Sequence, residues 1–202
     1  MKVAHICIPA LAFVLAGPVH AGDIAALTPE CESCHGPGGV SANSDMPSIA
    51  GQSREYISKS LRSFQMWDRP CIKSAYRYGD TSRPKTDMCK VVEGLAYEDI
   101  DAISEHYSQQ SFVAAKQPFD EAKAVAGAAV HEQYCENCHA EGGTATGRAP
   151  RLAGQWAPYL KSALNFVPTG EHLVPPMMER AISNFSSEEI DALMNFYASK
   201  QD

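Results

Sequence analysis

Beyond its opening stretch, the 202-residue sequence lacks any apolar run near the roughly 18 residues that a membrane-spanning helix needs. It also lacks basic character: 17 Lys and Arg stand against 24 Asp and Glu, which argues against nucleic acid as a partner. No segment alternates apolar and polar residues as a half-buried strand does, so helices are left to build the fold. Cysteine, by contrast, is plentiful at seven residues, and it carries most of the chemistry.

The one sustained apolar stretch lies at the start. Lys2 opens a basic region, Val3 to Leu15 is apolar apart from His5 and Pro9, and Val19-His20-Ala21 has the small residues of a cleavage site. This predicts a Sec signal peptide over 1–21, cleaved after Ala21, and export to the periplasm. Cys7 sits within the leader and not at a cleavage site, so a lipobox is not supported. The leader removes Lys2 and no acid, leaving about 181 residues with a net charge of −8.

Of the six remaining cysteines, four fall in two copies of one phrase, Cys31-Glu32-Ser33-Cys34-His35 and Cys135-Glu136-Asn137-Cys138-His139. CxxCH is the attachment pattern of haem c. Two thiols one helical turn apart can add to the two vinyl groups of a porphyrin, and the adjacent imidazole then meets the iron. A redox CxxC or half of a zinc site is the competing reading of a single copy. A duplicated copy inside a longer repeat favours haem, so two covalently bound haem c groups and electron transfer are expected. Cys71 and Cys89 remain over. In an oxidising compartment a disulfide between them is expected, with an intermolecular bridge or free thiols as the alternatives.

The repeat extends well past the motifs. Pro47-Ser48-Ile49-Ala50-Gly51-Gln52, Tyr56-Ile57 and Leu61 match Pro150-Arg151-Leu152-Ala153-Gly154-Gln155, Tyr159-Leu160 and Leu164 at an offset of 103. Leu95 to Ala102 matches Phe185 to Ala192 at an offset of 90, as Tyr107 matches Tyr197. The first half therefore holds 13 extra residues, in the region of Trp67 to Pro84. Helical periodicity covers Ile49 to Phe64, Leu152 to Phe166, Glu98 to Tyr107 and Glu188 to Tyr197. The implied domains are 22–110 and 125–202, joined by a linker at 111–124, with a helix beginning near Glu121.

The two motifs resemble those of class I cytochromes c, and that resemblance implies a methionine ligand in the loop before each C-terminal helix, where its thioether raises the potential of the haem iron. Seven residues before Leu95 stands Met88, and seven before Phe185 stands Met178. Met177, which follows Pro175-Pro176, competes with Met178, and His172 is a weaker candidate in the same loop. The metal set is thus His35 with Met88 and His139 with Met178, and the attachment set is Cys31, Cys34, Cys135 and Cys138. His106, His131, Met46 and Met66 read as packing or surface residues, and Tyr56, Tyr159, Phe64, Phe166 and Trp156 as aromatic bulk around the pockets.

On these residues the chain resembles the dihaem class I cytochromes c of the c4 type. That resemblance implies an all-α fold of two tandem class I domains related by a pseudo-two-fold axis, each wrapped around a covalent haem c. It also implies that Pro47 and Pro150, which lie 12 and 11 residues beyond the motif histidines, offer carbonyls to the imidazole Nδ1–H. The linker and second half are similar to the dihaem subunit of flavocytochrome c sulfide dehydrogenase. That likeness rests on Gln109-Gln110, Ala115-Lys116-Gln117, Phe119-Asp120, Tyr134-Cys135-Glu136, Glu141-Gly142-Gly143, Leu152 to Trp156, Pro158-Tyr159-Leu160 and Phe196 to Ser199. It implies an electron-transfer subunit without substrate chemistry, taking electrons from an FAD flavoprotein partner and handing them to a small soluble carrier. A free-standing dihaem carrier between a bc complex and a terminal oxidase would share every haem feature. A haem enzyme would need an open iron, which methionine at both distal positions disfavours. The Cys71/Cys89 segment departs from the resemblance.

Overall fold

The computed structural model describes residues 22–202, so the expected leader and its cleavage site lie outside the described residues. Nine helices order the described chain: α1 (Ile24–His35), α2 (Arg54–Gln65), α3 (Met88–Val92), α4 (Tyr97–Ser108), α5 (Glu121–Tyr134), α6 (Ala140–Gly143), α7 (Ala157–Asn165), α8 (Pro176–Asn184) and α9 (Ser187–Ser199). Among the described residues the only strand-like pairing is one antiparallel bridge, Ser74 with Thr86.

Local chemistry sets the helix ends. Asp23, Ser53, Asp87, Asp120 and Ser186 each lie at an N-cap and accept an amide of the first turn. Ser186 and Glu189 complete a reciprocal box, whereas at Ala96 only the returning arm exists, Asp99 accepting the Ala96 amide at 2.9 Å. The middle helices start later than periodicity indicates, at Arg54 and Ala157 instead of Ile49 and Leu152. The reason lies in the loops. The Ile49 and Ala50 amides both turn to the Gly39 carbonyl, and those of Leu152 and Ala153 to the Gly143 carbonyl. The Gly51 and Gly154 amides then tie to the carbonyls of Tyr107 and Tyr197, 2.9 Å each. Helix α5 begins at Glu121 as expected, so residues 121–124 belong to it and not to the linker.

Two cores form, one per half. Ile57, Leu61, Val92, Ile100, Ile103 and Tyr107 make the first, and Leu160, Leu193, Met194, Phe196 and Tyr197 the second. Positions equivalent in the repeat, such as Ile57 with Leu160 and Tyr107 with Tyr197, occupy equivalent places. Helices α5 and α9 approach so closely that a Cβ on Gly127 would collide with the Ala192 carbonyl, which is why a helix-weakening residue stands mid-helix.

The extra residues of the first half fold back over α1. A Cys71–Cys89 disulfide, Cα to Cα 5.6 Å, closes the segment. The amides of Arg77 and Tyr78 donate to the Ser33 carbonyl at 2.8 and 3.0 Å, and the buried Tyr76 donates its hydroxyl to Glu30. Arg83 pairs with Glu30 at 2.9 Å and lies over the Tyr76 ring.

Candidate metal centres

In the first half, α1 carries Cys31 and Cys34 on its last turns and delivers His35, 7% exposed, at its C-terminus. Gly36, at φ 84°, ends the helix there. His35 Nδ1 lies 2.9 Å from the Pro47 carbonyl. A carbonyl can only accept, so Nδ1 bears the proton and Nε2 keeps its lone pair. Burial lowers the ring's affinity for a second proton, with the Pro47 bond opposing. The imidazole is therefore neutral and fixed in the tautomer that a metal requires.

The second half repeats this with a different backbone. Helix α5 stops at Tyr134, so Cys135 to His139 is not a helical turn as the spacing suggests. It is a chain of turns in which the Cys138 and His139 amides both return to the Cys135 carbonyl. His139, also 7% exposed, reaches Pro150 at 3.0 Å, and burial again lowers its basicity.

The glutamate inside each motif holds the loop beyond it. Glu32 accepts the Gly38 amide at 3.1 Å, and Glu136 accepts those of Glu141 and Gly142 at 2.8 and 3.1 Å. Glu136 also meets His131, whose other nitrogen meets the Tyr197 hydroxyl, both at 2.8 Å. This places His131 in the packing role that its helical position suggested.

The donor set discriminates between the readings of CxxCH. Burial pushes the Cys31 thiol up to about 11 and raises Cys34 and Cys135 as well. A redox-active cysteine needs an accessible thiol of lowered pKa, which these environments do not provide. A thioether bears no charge and suits the same burial. Two orphaned polar atoms point the same way. The buried Tyr107 hydroxyl faces the Cys31 thiol and no oxygen or nitrogen partner. The Nε of Arg69, a guanidinium held between the halves near the Tyr159 hydroxyl at 3.4 Å and over the Phe64 ring, has none either. A half-buried guanidinium with an enclosed, unpaired Nε suits an anion, and the propionates of a haem are of that kind. The residues present thus fit covalently attached haem.

On the distal side, Met88 opens α3 and packs half-buried against the first core. In α8, Met178 is half-buried whereas Met177 is 78% exposed, so Met178 is the one turned towards the protein. His172 is half-buried too, with Nδ1 3.2 Å from the Ala163 carbonyl. Met66 is on the surface, and the Cys71, Asp87 and Cys89 cluster has both sulfurs in the disulfide.

Between the halves, the two repeated glutamines make matched bonds. Gln155 accepts the Ser48 amide at 3.0 Å and donates to the Ser48 carbonyl at 2.8 Å. Gln52 accepts the Arg151 amide at 2.9 Å and donates to its carbonyl at 3.0 Å. Trp156, expected as aromatic bulk, also donates Nε1 to the Ser41 carbonyl across the interface at 2.9 Å. The repeat offered both glutamines to view, but only the fold pairs each with its counterpart's loop. Arg69 lies in the part of the first half without a counterpart, so no repeat marks it.

Residues 122–196 match the family described as cytochrome C oxidase, cbb3-type, subunit III. Cytochrome c4 of Azotobacter vinelandii is 27% identical over 66% of this chain and 65% of its own length. The thiosulfate dehydrogenase electron acceptor of Stutzerimonas stutzeri is 27% identical over 40% of this chain and 32% of its own. The crystal structure of reduced cytochrome c4 from Pseudomonas stutzeri aligns with a TM-score of 0.68 at 26% identity, covering 88% of this chain and 98% of that one.

Proposed function

We propose that this chain, a cytochrome c4-like dihaem class I cytochrome c and hence an electron carrier with two covalent haem c groups, serves an FAD flavoprotein of sulfide dehydrogenase type. It takes electrons from that partner and passes them to a small soluble carrier in the periplasm, with no substrate chemistry of its own. The observation that carries this reading is the duplicated site, in which each half presents a thiol pair, a neutral buried histidine and an inward-turned methionine.

The haem, when bound, supplies an iron that accepts and releases one electron. The chain's residues do the rest. Cys31 and Cys34, and Cys135 and Cys138, anchor the porphyrins through sulfur. His35 and His139 present Nε2 to iron while Pro47 and Pro150 keep Nδ1 protonated. Met88 and Met178 would supply the second protein ligands, which would leave the irons no position for a substrate. The two domains, 22–110 and 121–202, each bury a core of their own. Near the disulfide-closed segment, Trp67 is 73% exposed at a left-handed φ of 62°, with Met66 and Ile72 also exposed. An apolar surface held in an unfavourable conformation suits partner docking, and this segment is where the flavoprotein would sit.

A second reading, a free-standing carrier serving other enzymes, draws on the 81 residues similar to a thiosulfate dehydrogenase electron acceptor. The deciding experiment is gentle purification at low ionic strength from the native periplasm. Rapid haem reduction by sulfide, with a flavin-bearing chain co-eluting, is the expected result. A lone dihaem chain inert to sulfide but reduced by a bc complex would replace the first reading by the second.

A further inference from the structure

We infer that Gln52 and Gln155 are positioning residues that adjust each half's iron-binding histidine from the other half. This rests on His35 and His139 being the proximal ligands. The Pro47 carbonyl and the Ser48 N–H are two ends of one peptide group. Its oxygen receives His35 Nδ1–H at 2.9 Å, and its N–H donates to Gln155 Oε1 at 3.0 Å. The Pro150–Arg151 peptide repeats the arrangement, receiving His139 at 3.0 Å and donating to Gln52 Oε1 at 2.9 Å. Each glutamine then closes a ring by donating Nε2 to the carbonyl of the residue it has gripped.

Both glutamines are 3% exposed, as is Ser48, so these bonds form away from competing water. An amide that donates its N–H places more negative charge on its own oxygen, because linked hydrogen bonds polarise one another. The proline carbonyl becomes a better acceptor, the imidazole gains electron density, and the ferric form of the iron it ligates is favoured. Removing the glutamine should therefore raise the potential of the haem in the opposite half. Its own half's histidine draws nothing from it.

The test uses the full holoprotein. Spectroelectrochemistry gives the two potentials, and the Nδ1–H resonances of His35 and His139 in the diamagnetic ferrous state assign them. Gln155→Leu should raise the potential of the His35 haem and shift the His35 Nδ1–H resonance upfield, leaving the His139 haem unchanged. Gln52→Leu should do the reverse. Gln155→Glu keeps a carboxyl oxygen facing the Ser48 amide and should return the potential to the wild-type value or below. It also serves if the leucine variant does not load haem. A shift confined to the glutamine's own half, equal shifts in both halves, no shift, or a rise with Gln155→Glu would overturn the inference while leaving the ligand assignment standing. Wild-type protein without two histidine-ligated c-type haems would overturn both.

Discussion

Replacing Cys71 and Cys89 together by alanine tests whether the extra segment of the first half is held chiefly by its crosslink. The disulfide spans a sequence separation of 18. Closing a loop of that size costs the unfolded chain about 11 cal/mol/K, so its removal should lower first-half stability by about 3 kcal/mol. The native bonds of the segment, from Arg77 and Tyr78 to Ser33 and from Tyr76 and Arg83 to Glu30, remain available. They keep the variant folded without replacing the lost restraint on the unfolded state. Urea unfolding of the holoprotein, monitored by haem absorbance and by Trp67 and Trp156 fluorescence, should show a first-half midpoint lower by about 1–3 M. The second-half transition should stay in place. Because Cys89 adjoins Met88, the far-red band of methionine-ligated ferric haem should fade earlier for the first haem than for the second. A first-half midpoint unchanged within about 0.3 M, given the same slope dependence, would refute the reasoning. So would two free thiols at these positions in mass spectra of the exported protein.

Met178→Ala should abolish the methionine–iron band of the second haem in the ferric spectrum, while Met177→Ala leaves it intact; the opposite result would move the ligand by one residue. Gly127→Ala should destabilise the second half by about 1–3 kcal/mol in denaturant titrations, since the new Cβ meets the Ala192 carbonyl on α9 and overpacks the crossing. The Glu136 carboxyl is held below its usual value first by the Gly142 amide, then by His131. A depressed folded value means that its stabilisation is fully present above about 4.5 and is lost as pH falls through the folded value. Melting curves of Glu136→Gln between neutral and strongly acid pH should therefore show a flatter acid limb than wild type, and parallel curves would argue against the assignment.

The cofactor chemistry was legible because it is local: two thiols and an imidazole within five residues, duplicated, with a proline 12 or 11 residues on. Both prolines do accept the imidazole nitrogens. The helix starts at 54 and 157 were misjudged because apolar spacing continues through residues whose amides turn back to Gly39 and Gly143. The roles of Gln52 and Gln155 were illegible for a different reason. Each gains meaning only from a loop about 100 residues away, and a repeat shows that a residue recurs without showing what it touches. The Cys71–Cys89 bridge was expected from the redox compartment alone and is present, though only the fold supplies the 5.6 Å Cα separation that permits it.

The glutamine interface is self-complementary, since Gln52 grips Arg151 as Gln155 grips Ser48, and these are equivalent positions of the repeat. Such isologous contact is the geometry of a two-fold homodimer. The stretch between α4 and α5 turns that dimer into a single molecule, and a short tether supplies a local concentration of roughly millimolar order. A seam that two separate half-chains would have to find by collision is thereby kept closed without regard to dilution. The two cofactor sites stay side by side however scarce the protein becomes.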